Sequence, residues 1–572
     1  MRGTIKLGVI FGALAVILVA TVGSAPAASK GSWRFSPTID APWANYGPGQ
    51  SRNSLTAAWG LCRANPFTTD SPFASLSAGE VDAIVGDPIN NTGAPNNGCS
   101  TPQNETTIAV NPTNPDNLVA GANDNRVVSP RTGLNDGSGW AYASTNGGVT
   151  WANVQLPGLT LQTGGKGVFK KMDAAADPVI AFGPDGTAYY ANIVFNRATP
   201  ASGIAVSVSA DGGLTWSEPN MVSYSDAGNF LHDKEWIAAG KDGRVVVTWT
   251  RFNLGPHRAG YLESPIVGAI SYDKGKTWNR QSFPVSDKSR PYNQGSQVAF
   301  APNGDLYVAY EATDPETGYR TDSLVLARST DDGRSFEQAS LARVYDDRDC
   351  YPVYNGRQTL TNMHFRLNSS PSMSIDPRTG RIAITWADQQ GSYNCGTPGG
   401  TAFAANGTTG NTTKLVHGTW GSWSGVIPVA GGSTTDTVFP SVAVGGGKVV
   451  VSFYTRQYAT TTDSVVCNVK IPDDPLTAVT SASIKEYTAR SVCLDYAARA
   501  LTVGSNSWGA PRRLTSESSN PFIQFANGAF IGDYSQVAVG SDGVAHAAWT
   551  DFRGNPGVSA PNQDVVVANF AP

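Results

Sequence analysis

The stretch S-A-D-G-G-L-T-W at residues 209–216 is one of four copies of a pattern. The others are S-T-N-G-G-V-T-W at 144–151, S-Y-D-K-G-K-T-W at 271–278 and S-T-D-D-G-R-S-F at 329–336. Their starts lie 65, 62 and 58 residues apart. A near-constant period above about 40 residues points to a propeller or another array of like units. Each copy follows an alternating run, such as Ile204 to Val208, with the period of two that a half-buried strand requires. The Asp or Asn and the Gly behind it suit a tight turn, because the side chain bonds nearby backbone and Gly accepts positive φ. The closing Trp or Phe is large enough to pack between neighbouring sheets.

A second pattern precedes each copy and continues after the copies fade. It is a hairpin: an apolar strand, a turn such as Pro-Asp-Gly, and a strand ending in an aromatic residue followed by polar ones. It spans 106–120, 178–190, 236–249, 297–310, 372–386, 441–454 and 535–549. A hairpin with the strand and turn behind it makes a four-stranded antiparallel blade, and a ring of blades protects its edges by closing. The expected fold is therefore all-β, a seven-bladed propeller over residues 100–572, with six blades the alternative if one hairpin belongs to an insertion. The last blade has 564–570 as its third strand and needs a fourth, which the N-terminal region can supply.

Composition agrees with a turn-rich β protein. The chain has 572 residues, with 62 Gly, 36 Pro, 14 Trp and 20 Tyr, and only 15% are charged, against roughly 25% in ordinary soluble domains. The formal net charge is −4 and no basic run occurs, so phosphate neutralisation, the main term in nucleic-acid binding, has no source here. Arg2 and Lys6 flank an apolar run from Leu7 to Val22, and Ala25, Pro26 and Ala27 follow as a small-residue cleavage site. This predicts a secretory signal over 1–27, a secreted protein and no further membrane attachment. Residues 28–99 then form an irregular N-terminal segment. Export permits disulfides, and six Cys remain: Cys62, Cys99, Cys350, Cys395, Cys467 and Cys493. They allow fifteen connectivities; neighbour pairing would close one insertion per pair.

The eight-residue pattern resembles the Asp box, or BNR repeat, of sialidases and their relatives, over roughly residues 100–570. The resemblance implies a β-propeller in which the boxes, with Asn146, Asp211, Asp273 and Asp331, are structural and lie on the rim away from the active site. Asp boxes also occur in non-catalytic propellers and in lyases, so function has to be argued from the site.

In such a blade the segment entering the inner strand and the segment leaving the second strand open on one face, around the central channel. Entering segments here carry Glu105, Asp173, Asp177, His232, Asp233, Lys234, Glu235, Tyr292, Asp533 and Tyr534. Leaving segments carry Asp124, Arg126, Arg197, Arg251, Glu311, Asp388, Arg456, Asp551 and Arg553. Some of these groups can instead hold adjacent blades together.

A retaining sialidase clamps the substrate carboxylate with arginines, whose planar fork matches it bidentately. It attacks with a Tyr, since a carboxylate nucleophile would be repelled by the anionic sugar, and it uses an Asp as general acid/base. The resemblance implies Tyr534 as nucleophile, Glu235 or Glu311 as its base, and Asp233, Asp124 or Asp173 as the acid. Arg126, Arg251, Arg456 and Arg553 would bind substrate, with Glu311 and Asp388 beside them. One departure stands out: sialidases carry an FRIP-type arginine before the first inner strand, and residues 102–106 contain none.

The implied function is an exo-glycosidase acting on glycans with acidic terminal sugars, working as a monomer. A glycan- or protein-binding propeller, with Tyr351, Tyr354, Tyr393 and Tyr458 on its long insertions, is the alternative, as is a polysaccharide lyase using the same face. Ser/His/Asp hydrolysis has little to draw on, with five His and no G-x-S-x-G elbow. No nucleotide motif is present and no cofactor is implied. Calcium at the acidic loop of Asp346, Asp347 and Asp349 is possible, although a solvated loop is the plainer reading.

Overall fold

The chain closes into a ring of seven blades. The computed structural model describes residues 80–84, 102–129, 135–255, 261–318, 321–346, 351, 353–354, 357–360, 363–389, 410–432, 435–458, 493–504, 507–519, 521, 530–552 and 563–572. Blades 1 to 7 begin with the inner strands Gln103–Val110, Ala174–Phe182, Phe230–Ala239, Asn293–Phe300, Ser372–Ile375, Thr437–Gly445 and Gln536–Val539. Every blade is antiparallel and runs outward in chain order, except the last. In blade 7 the outermost strand is Glu80–Asp82, paired on Val566–Ala568. Each inner strand packs on the next, and the seventh packs on the first. The N-terminal strand thus closes the ring, as its hairpin count required.

The inner hairpins fall where apolar alternation placed them: Ile108 faces Ala120, Ile180 faces Tyr190 and Val537 faces Ala547. Between blades, opposing apolar faces merge into cores such as Val179, Tyr189, Ile237, Val247 and Trp249 between blades 2 and 3. Burying such residues is the main stabilising term, worth about 1.5–3 kcal/mol for each large side chain.

The four repeated turns share one geometry. Asp211 Oδ1 accepts from the Thr215 backbone N–H at 2.9 Å and from Ser209 Oγ at 2.8 Å, and Ser209 Oγ accepts from the Gly213 N–H at 2.9 Å. Trp216 Nε1 donates to the Gly213 carbonyl at 3.0 Å and is buried. Asn146, Asp273 and Asp331 repeat the pattern with Thr150, Thr277 and Ser335. These turns join third and fourth strands, so they lie on the rim opposite the segments that enter the inner strands.

Residues 1–79, with the predicted signal, lie outside the described residues. So do Cys62, Cys99, Cys350, Cys395 and Cys467. Cys493 is buried and disulfide-bonded, its partner lying outside the described residues. No helix of the described residues is long and apolar enough to cross a membrane.

Candidate functional site

In five blades the inner strand is interrupted at the same place. The register slips between Asn104 and Thr107, Ala176 and Val179, Asp233 and Trp236, Gln294 and Gln297, and Val438 and Ser441. One residue in each bulge has positive φ: Glu105 (57°), Asp177 (53°), Lys234 (50°), Gly295 (67°) and Phe439 (47°). Four of the five are not glycine, and such a backbone costs on the order of 1–3 kcal/mol at each. A bulge re-aims side chains, and here it brings charged ones together at the channel.

Lys234 Nζ lies 2.9 Å from Glu105 Oε1, 3.4 Å from Asp177 Oδ2 and 2.6 Å from Asp533 Oδ2. Three blades besides its own therefore converge on one ammonium. Asp533 also accepts a bidentate pair from Arg366, Nε to Oδ1 at 2.8 Å and Nη2 to Oδ2 at 2.5 Å. Gly532 lets this segment approach blade 1: its φ is 93°, and a Cβ there would stand 2.6 Å from the Glu105 nitrogen. Burial opposes the charge on Lys234, but Asp177, Asp533 and Glu105 outweigh it and raise its pKa. Burial opposes ionisation of Asp533 too, and Arg366 and Lys234 outweigh it, holding its carboxyl below the usual range. Glu105 is the opposite case: burial and then Asp177 raise it, and Lys234 only partly compensates.

Beside this cluster lies a small pocket of about 40 Å³. Its walls include Lys234, Glu235, Trp236, Asn368, Asp533 and Tyr534, so it opens at the inner-strand entries, on the expected face. Glu235 is 1% exposed, and neither carboxyl oxygen has a hydrogen-bond partner among the described residues. Burial, with Asp177 and Asp233 nearby, pushes its pKa well up. The Tyr534 hydroxyl donates to the Pro178 carbonyl at 3.1 Å, and its ring meets Trp236 edge-on at 6.0 Å. Burial first, then Glu105 and Asp177, raise the Tyr534 pKa. Asp233 is likewise raised by burial and lies one residue before Lys234.

The other residues singled out from sequence stand elsewhere. Arg126 binds Asp124 through Nη2 at 2.7 Å and covers the Trp140 ring at 4.0 Å. Asp124 also accepts from Tyr142 at 2.8 Å, so it is engaged within blade 1. Arg251 donates to Asn253 at 3.0 Å in blade 3, and Arg456 pairs with Asp436 at 3.1 Å in blade 6. None of these three arginines lines the pocket. Arg553 lies outside the described residues. Asp388 accepts from Trp386 Nε1 at 3.0 Å and from the Tyr345 N–H at 2.8 Å, and pairs with Lys414. Glu311 is buried at the rim of blade 4. Asp173 accepts from the Arg197 N–H at 2.9 Å, and Arg197 reaches Asp136 of blade 1, fastening two blades.

Arg366 was not singled out from sequence. It sits on the segment entering blade 5, so an arginine absent ahead of the first inner strand is present ahead of the fifth. Carrying the entering-segment argument to blade 5 would have found it.

No family model and no curated protein matches the sequence. Among solved structures, the chain is similar to the Hadza microbial sialidase Hz136, at 12% identity over 80% of this chain and 73% of that one, TM-score 0.39. It is similar to an alpha-L-arabinanase of Penicillium chrysogenum complexed with arabinobiose, at 18% identity over 66% and 94%, TM-score 0.38. A polysaccharide lyase, PL25 ulvan lyase, matches at 10% identity over 61% and 76%, TM-score 0.37. Likeness at this level settles nothing about the residues of the site.

Proposed function

We propose that this chain is an exported carbohydrate-active propeller, a glycoside hydrolase that works at the central pocket. The observation that carries the reading is a pair of carboxyls on one pocket wall in opposite surroundings. Burial raises the pKa of Glu235, while Arg366 and Lys234 lower that of Asp533. Carboxyl groups whose environments push their pKa values apart are the acid and the anion that glycosidic bond cleavage uses. Glu235 would give its proton to the leaving oxygen.

The narrower reading, an exo-glycosidase for acidic terminal sugars, rests on the sequence resemblance. In it Tyr534 Oη bonds to the anomeric carbon as the glycosidic C–O bond breaks, its phenol proton passing to a neighbouring carboxylate and the Glu235 proton to the leaving oxygen, and water then hydrolyses the tyrosyl–sugar bond. The position of Tyr534 in the pocket wall supports this. The cation in the pocket wall for the sugar carboxylate is Lys234, which is paired with Asp533.

The test is hydrolysis of a panel of fluorogenic glycosides, acidic and neutral, by the purified protein and its Glu235→Gln variant. Turnover of one class, falling roughly 10²–10⁴-fold in the variant, is expected for loss of a general acid. Cleavage of an α-sialoside would support the narrower reading, and Tyr534→Phe with full activity would remove Tyr534 as nucleophile. No turnover of any glycoside by folded protein would replace the enzyme with a binding propeller.

A further inference from the structure

On the same face, away from the pocket, blade 4 gathers three carboxylates. Glu311 lies two residues before the end of its second strand (Leu306–Thr313), Asp322 begins its third (Asp322–Ser329), and Asp346 follows its fourth (Glu337–Val344). Register explains the meeting. Thr313 faces Asp322, and Asp322 faces Val344. Glu311 is two residues before Thr313 and Asp346 two after Val344, so strand alternation puts all three on one side of the sheet. One oxygen from each lies within 4.8 Å of the others.

A second observation concerns Glu311 alone. Its side chain is nearly inaccessible, the residue being 3% exposed, and its Oε1 has no hydrogen-bond partner among the described residues. A buried carboxylate oxygen without a donor costs several kcal/mol unless a cation or a proton meets it. The charged neighbours that act on it most strongly are acids: Asp346, Asp322 and, across the blade boundary, Asp388. Across the boundary, Lys414 is bound to Asp388.

We propose that Glu311, Asp322 and Asp346 hold a calcium ion between blades 4 and 5. All three ligands are hard carboxylate oxygens, the donors Ca²⁺ and Mg²⁺ take. Oxygens within 4.8 Å of one another fit on a Ca²⁺ shell of roughly 2.3–2.6 Å radius, and Ca²⁺ tolerates irregular geometry where Mg²⁺ demands an octahedron. The ion would tie the last three strands of blade 4 at the rim.

Calcium chloride is titrated calorimetrically into chelator-stripped protein. The expected result is saturable binding and a melting temperature that rises with calcium. Glu311→Gln and Asp346→Asn should each weaken binding at least tenfold. Asp226→Asn, on a distant exposed residue, should leave it unchanged. If Glu311→Gln fails to fold, Asp346→Asn at the half-buried edge carries the comparison. No binding by the parent, parent-like binding by the folded variants, or a stronger response to magnesium would overturn the proposal.

Discussion

His232 shows how one residue in this fold acquires a pH dependence. Its Nδ1 meets Ser202 Oγ at 3.0 Å and its Nε2 meets Ser223 Oγ at 2.9 Å, inside blades 2 and 3. Burial, then Arg251, lowers its pKa to about 3. The unfolded chain therefore binds a proton that the folded one refuses between about pH 6.5 and 3. Stability from this group is complete above pH 6.5 and is lost as pH falls toward 3. His232→Gln should flatten that part of the stability curve, measured by urea unfolding from pH 7 to 4. Lys234 is the opposite case, a cation on which three buried carboxylates depend. Lys234→Met should cost about 3–5 kcal/mol at pH 7, the usual penalty for orphaning buried charge. Part of the loss should return near pH 5, as the freed carboxyls take up protons. An undiminished unfolding midpoint would show that the cluster carries no such weight.

At the scale of the element, the repeated turn is legible from eight residues because every bond in it is local. Serine, the acid and the following hydroxyl residue all bond within four positions of one another. Asp211→Ala removes acceptors for Ser209, for the Thr215 backbone N–H and for Thr215 Oγ1, and should cost about 1–3 kcal/mol. Thermal unfolding would show this, with activity at the opposite rim unchanged. The inner-strand bulges are elements of another kind. Nothing in N-E-T, A-D-P or D-K-E alone announces positive φ at Glu105, Asp177 or Lys234. Each residue prefers ordinary strand geometry, and only the crowding of seven strands around one axis holds it off.

At the scale of the whole molecule, closure comes from a strand 484 or more residues away in sequence from its neighbour: Glu80 faces Ala568 and Asp82 faces Val566. Below Glu80, Oε1 also accepts from the Ser516 N–H at 3.1 Å, reaching into blade 6 territory. A chain starting at residue 85 should melt lower than the full chain, and a synthetic peptide of residues 76–88 should restore part of the difference. Equal melting temperatures would mean that the ring closes without this strand.

The amino-acid sequence by itself determined the blades. Their count, order and hairpins follow from alternation and turn chemistry, which act over a few residues and repeat. It also determined which face carries the polar groups, since strand direction follows from the hairpins. It offered Tyr534, Asp233 and Glu235 on that face, and Arg126, Arg251 and Arg456 on equal terms with them. Only the tertiary structure separated these sets. It bound Arg126 and Arg456 to acids of their own blades, and brought Glu105, Asp177, Lys234, Arg366 and Asp533 from five blades to one point. The physical reason is range. Turns and strand pairs are decided by neighbours in the chain, whereas charge pairing in a channel is decided by distances that exist only once the ring has closed.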